Sequence, residues 1–77
     1  MEDRLMRCFS SVFPAASRDE ISSQSLEEIT GWDSLRVVTL LAVLDEQFGV
    51  QMEVPDLLEL GTFSAIKEFV LQRTNGQ

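Results

Sequence analysis

Apolar residues recur along the chain at helical spacing in two regions separated by one long polar stretch. Leu5, Cys8, Phe9, Val12 and Phe13 fall at i, i+3, i+4, i+7 and i+8, the stripe of an amphipathic helix. Acids precede the stripe, where the helix dipole favours negative charge. Pro14 ends this helix near Phe13, because a proline disfavours helical backbone in the residue before it. From Pro14 to Asp33 no period is sustained: Ser17, Ser22, Ser23, Ser25 and Gly31 punctuate the segment. So long a connection is unusual in a small domain unless it is functional or pinned by its own apolar residues. Ile21, Leu26, Ile29 and Trp32 are available as pins, and Ser25-Leu26-Glu27-Glu28 has the spacing of a capping box that predicts one short helical turn.

The second region begins with Ser34-Leu35-Arg36-Val37-Val38-Thr39-Leu40-Leu41-Ala42-Val43-Leu44-Asp45-Glu46-Gln47-Phe48, a helix by its length, with Gly49 as a natural stop. Steps of about 100° gather Val37, Leu40, Leu41, Leu44 and Phe48 on one face, which is the expected core stripe. Leu35, Val38 and Ala42 form a second apolar strip on the other side, bordered by Thr39, Asp45 and Glu46. A helix with a single buried face has no need of that strip. Val50 to Val54 alternates enough for a short extended stretch. Val54 to Gly61 reads as a short helix with Pro55 in its first turn, and Thr62 caps a last helix with Phe63, Ile66, Phe69 and Val70 facing inward. The tail from Arg73 to Gln77 is expected to fray. Three main helices and one short helix, with a long loop between the first and second, make a small all-α four-helix bundle. It is read as a single domain over residues 1–77, and the Met1 start as that of a free-standing protein.

With 44% apolar residues in 77, one core is attainable and a second is not. Thirteen acidic residues against six basic ones give a net charge of −7, which disfavours nucleic acid and suggests partners with basic surfaces. The chain has no His and no Tyr and only one Cys, so a serine–histidine triad and an internal disulfide are both excluded. Glu27 with Glu28, and Asp45 with Glu46, are adjacent and point in different directions on a helix, which makes them solvated surface rather than an acid–base pair. No glycine-rich phosphate loop and no metal-ligand spacing is present. These absences read against an enzyme. No apolar run approaches the roughly 18 residues of a membrane span, so a soluble, cytoplasmic protein is expected, and it is read as a monomer. Cys8 reads as a small buried hydrophobe.

One position stands apart. Ser34 follows Asp33 at the start of the strongest helix and directly after the long loop, where backbone N–H groups would stabilise a phosphate esterified to its hydroxyl. Asp33 or Ser34 as a plain helix cap is the simpler reading. The apolar strip beginning beside Ser34 and edged by Asp45 and Glu46 is what a docking partner would read.

Gly31-Trp32-Asp33-Ser34-Leu35, a helix ending Leu44-Asp45-Glu46-Gln47-Phe48-Gly49-Val50, the Pro-containing short helix and the Thr-capped last helix together resemble the acyl carrier protein family and its thiolation-domain relatives. The resemblance covers nearly the whole chain. It implies a four-helix bundle with a long first loop, and a 4′-phosphopantetheine arm on Ser34 transferred from coenzyme A by a separate phosphopantetheinyl transferase. Asp33 matches the aspartate that helps the transferase and its metal engage the serine. Leu35, Val38 and Ala42, with Asp45 and Glu46 at their edge, match positions where partners dock. The implied partners are that transferase, a loading ligase or acyltransferase, and downstream biosynthetic enzymes. The arm's thiol would hold an acyl group as a thioester, and the carrier itself would catalyse nothing.

Fatty-acid carriers place acids along the first half of the serine helix, whereas here that half holds Arg36 and Thr39. The departure points to a dedicated partner set in a specialised pathway. An aminoacyl or peptidyl carrier is the close alternative, and an unmodified helical interaction module the alternative of another class; the net charge leans to the acyl side. Trp32 reads as a loop anchor. Leu40, Leu44 and Phe63 read as core, with the lining of a shelter for a long acyl chain as their other reading.

Overall fold

Each stretch of helical period is a helix in the computed structural model, which describes residues 2–75 and the side chains of residues 3–74. The order is α1 (Glu2–Val12), α2 (Arg18–Ser23), a 3₁₀ turn (Leu26–Glu28), α3 (Ser34–Phe48), α4 (Val54–Leu60) and α5 (Phe63–Asn75). The whole stripe of α1, extended by Phe13, is buried, and Phe9 meets Phe63 of α5 edge to face at 5.1 Å. From α3 come Val37, Leu40 and Leu44, with Leu41 and Phe48 half-buried against them. From α5 come Phe63, Ile66 and Val70, with Phe69 half-buried at the margin. A radius of gyration of 11.3 Å against roughly 11.5 Å for a compact chain of this length leaves no element outside the common core.

Loops and caps follow local chemistry. The Asp33 carboxylate caps α3, and Gly49, at φ 67°, closes it with a left-handed residue whose N–H donates to the Asp45 carbonyl at 2.8 Å. Glu53 N–H donates to the Asp56 carboxylate at 3.0 Å to open α4. The Thr62 hydroxyl accepts from Ala65 N–H at 3.1 Å to open α5, the cap its position suggested. Helix α5 carries Arg73 and Thr74 within it, while Gly76 and Gln77 of the expected fraying tail lie outside the described residues. The stretch from Val50 to Glu53 forms no strand; Val50 is buried as a single anchor.

The long first connection is more ordered than its lack of period suggests. It contains the two-turn helix α2, which the hydrophobic pattern misses because only Ile21 of its six residues is buried. Its signals are polar: the Ser17 hydroxyl accepts from Glu20 N–H at 3.1 Å, and Asp19 and Glu20 sit in the first turn. The Glu20 carboxylate then accepts from both the N–H and the hydroxyl of Thr30, at 3.1 and 2.7 Å, closing the loop on itself. The short turn after Ser25 is present, but without the expected capping box, since the Ser25 hydroxyl donates to the Glu28 carboxylate at 3.1 Å and caps no backbone group. Leu26 and Ile29 are buried as pins, and Leu26 N–H donates to the Gly61 carbonyl at 2.9 Å, tying the loop to the α4–α5 junction.

Cys8 is buried, and burial pushes its thiol above the ordinary value of 9.0 against a smaller opposing effect of the Arg4 charge. In the interval between the two values the folded state keeps a proton that the unfolded chain releases, so folding stability falls as pH rises past 9.0. We expect iodoacetamide at pH 8 to alkylate Cys8 much more slowly in the folded protein than in urea. Equal rates would make it an accessible thiol.

Candidate functional site

The site is built where the long connection delivers the chain to α3. Gly31, at φ 91°, takes a left-handed turn that an L side chain resists, and Trp32 N–H donates back to the Ile29 carbonyl at 3.0 Å. Trp32 then stacks on Phe13 at 5.7 Å with the rings 15° apart, which fixes the entry to α3 against the end of α1. This is the loop-anchor role its position suggested.

Asp33 is the residue before the helix, in extended backbone, and its Oδ1 accepts from Arg36 N–H at 2.7 Å. Ser34 is the first residue of α3. It is exposed, and its hydroxyl makes no hydrogen bond with the described residues. The first intrahelical bond runs from Val37 N–H to the Asp33 carbonyl at 3.1 Å, and Asp33 takes the Arg36 amide. The N–H groups of Ser34 and Leu35 therefore remain for an outside acceptor. An uncommitted hydroxyl beside unpaired amides at a helix N-terminus can carry a phosphate ester and share its charge.

Along α3 from Ser34, Leu35 is 80% exposed and Val38 57%, and Ala42, Asp45 and Glu46 are exposed as well. At 100° per residue these positions and Ser34 fall within a sector of about 120°, opposite the buried row of Val37, Leu40 and Leu44. The structure thus brings Ser34, Leu35, Val38, Ala42, Asp45 and Glu46 onto one solvent face. Leu40, Leu44 and Phe63 lie at the centre of the core and border neither of two shallow clefts. One, of about 220 Å³, is lined by Met52, Leu60 and Phe69; the other, of about 320 Å³, by Arg4, Cys8 and Val43.

Residues 3–70 match the family described as the phosphopantetheine attachment site. The chain belongs to that family. A comparison with curated proteins found no match. Members carry a covalently attached 4′-phosphopantetheine, engage phosphopantetheinyl transferases and biosynthetic enzymes, and are typically non-catalytic. Among the described residues of this carrier-family chain, no helix is long and apolar enough to cross a membrane.

Reading the sequence missed two features, one on α4 and one beside the site. Leu58 of α4 is 42% exposed, a large apolar side chain outside the core. The Arg36 side chain leaves the helix surface to reach the Val12 carbonyl at 2.7 Å, with its Nε 3.6 Å from the Asp33 carboxylate. Neither has a local sequence signal, since the first depends on how α4 rolls and the second joins residues far apart in the chain.

Because the two apolar rows of α3 differ in burial, they should differ in what an acid does to them. Val38→Asp, on the exposed row, should change stability by no more than about 0.5 kcal/mol. Leu44→Asp should exceed the roughly 2–5 kcal/mol of a large-to-small core change, because it also buries an unpaired charge. Thermal melts of the two variants check this, and equal damage would make the exposed row ordinary core.

Proposed function

We propose that this chain is a single acyl carrier domain that carries its substrate as a thioester on a 4′-phosphopantetheine arm attached to Ser34. The observation that carries the reading is the exposed, uncommitted Ser34 hydroxyl at a capped helix N-terminus, next to free amides, in a chain of the phosphopantetheine-attachment family. The residues present fit such a group. The hydroxyl is open to attack on an incoming phosphate, the Ser34 and Leu35 amides can take its charge, and no side chain of the described residues holds the serine back.

Asp33 supports the same reading twice over, as the cap that sets the start of α3 and as an exposed carboxylate beside the serine for a transferase and its metal to engage. Leu35, Val38 and Ala42, edged by Asp45 and Glu46, form the face for that transferase, for a loading ligase or acyltransferase, and for downstream enzymes. The domain catalyses nothing itself and acts in the cytoplasm. When bound, the arm supplies a thiol on a flexible tether, so that cargo meets each partner site at high effective concentration.

The cargo is proposed to be acyl rather than aminoacyl or peptidyl on the strength of the net charge of −7, which suits basic partner surfaces. Arg36 and Thr39 stand in the first half of α3, where fatty-acid carriers have acids. That supports a dedicated partner set in a specialised pathway.

Incubation with coenzyme A, Mg²⁺ and a promiscuous phosphopantetheinyl transferase should add the mass of one phosphopantetheinyl group. Ser34→Ala should abolish the gain. The fold should persist in that variant, since Ser34 is not the residue whose side chain caps α3. No gain under conditions that modify a control carrier would leave an unmodified helical interaction module. The loaded protein should be a poor substrate for housekeeping fatty-acid enzymes, and efficient elongation by them would remove the case for dedicated partners.

A further inference from the structure

Helices α1 and α3 share a deficit. Neither carries a basic residue in its last turn, where the carbonyls lack partners and the dipole favours a cation. Each receives its cation from the other helix. Arg4, near the start of α1, donates from Nη2 to the Gln47 carbonyl at the end of α3 at 2.8 Å, and its guanidinium lies over the Phe48 ring at 5.1 Å. Arg36, in the first turn of α3, donates from Nη1 to the Val12 carbonyl, the last of α1, at 2.7 Å. The Ala16 amide, which could have served Val12, goes to Phe13 instead. The two helices run antiparallel and are clasped at both ends by reciprocal arginines.

The clasps differ in what else they hold. Arg4 also reaches the Gln47 amide oxygen at 3.2 and 3.4 Å, far from Ser34 along α3. Arg36 lies two residues from Ser34, its backbone N–H is the group capped by Asp33, and its Nε stands 3.6 Å from the same carboxylate. That ion pair is exposed, with side chains 44% and 56% accessible, and contributes little by itself. The hydrogen bond to Val12, part-buried and charge-assisted, is the stronger contact.

We infer that Arg36 is a positioning residue for the attachment serine: by clasping the end of α1 it fixes where Ser34 stands, whereas Arg4 makes an equivalent clasp that serves stability alone. The inference rests on Ser34 as the attachment site. Without the Arg36 clasp, the first turn of α3 samples open conformations, and its ordering is charged to each docking event, which raises KM for the carrier.

Arg36→Met and Arg4→Met, which keep most of the aliphatic stem, form a matched pair, with Arg36→Lys as the conservative variant. Amide exchange at positions 36 and 37 should rise roughly tenfold in Arg36→Met, about the factor for one lost charge-assisted hydrogen bond. Exchange at Ile66 and Val70, which follows global stability, should rise no more in Arg36→Met than in Arg4→Met. In transferase assays Arg36→Met should lower kcat/KM about tenfold through KM, Arg36→Lys should recover part of it, and Arg4→Met should change it less than twofold. No local rise in exchange, or equal loading losses in the two Met variants, overturns the assignment. Failure of the unmodified protein to be loaded would instead overturn Ser34 as the site, while exchange still decides whether the clasp orders α3.

Discussion

The row Leu5, Phe9 and Phe13, each wholly buried, is the contact on which the rest of the bundle depends. A domain of this size has few layers, and α1 supplies a surface to most of them at once. Phe9 meets α5 through Phe63, Phe13 carries Trp32 from the loop, and the same helix lies along α3 through both arginine clasps. Loss of one such ring costs about 3–5 kcal/mol, a large part of the 5–15 kcal/mol by which domains are stable. The tight row of aromatic and aliphatic side chains thus fixes the frame in which Ser34 is held.

That frame explains how one helix does two jobs. Val37, Leu40 and Leu44 commit α3 to the core, so its outer face is held rigid without help from a partner. Leu35 and Val38 can stay in water only because the inner face has enough apolar area to hold the helix in place. A serine at the first position of such a helix is presented at a fixed place. The unpaired amides beside it project from the N-terminal end of α3.

Charge is used sparingly. With six basic residues against thirteen acidic ones, two of the arginines donate to carbonyls at helix ends, and the ion pair that Arg36 also makes with Asp33 is exposed and contributes little. The fold also satisfies its polar groups locally: among the described residues no buried side-chain nitrogen or oxygen lacks a partner, and no polar residue is fully buried. The order in the first connection comes from the same source, since Glu20 and Thr30 close it by hydrogen bonds rather than by apolar area.

The parts of this structure legible in the sequence are those governed by neighbours along the chain. Helical period placed α1, α3 and α5, and a proline and a glycine placed α4. Glycine, proline and hydroxyl chemistry placed most of their ends, as at Gly49, Pro55 and Thr62. The two faces of α3 could be separated because they differ in angle around one axis, and Asp33-Ser34 stood out because helix starts have their own polar code. Helix α2 escaped notice because one buried residue makes no period. What only the tertiary structure decided are the contacts between distant residues: Trp32 on Phe13, Leu26 on the Gly61 carbonyl, Arg36 on Val12 and Arg4 on Gln47. Those pairings exist because buried rows on α1, α3 and α5 have one way of packing together. Only once they have packed does an arginine on one helix find the open carbonyl of another.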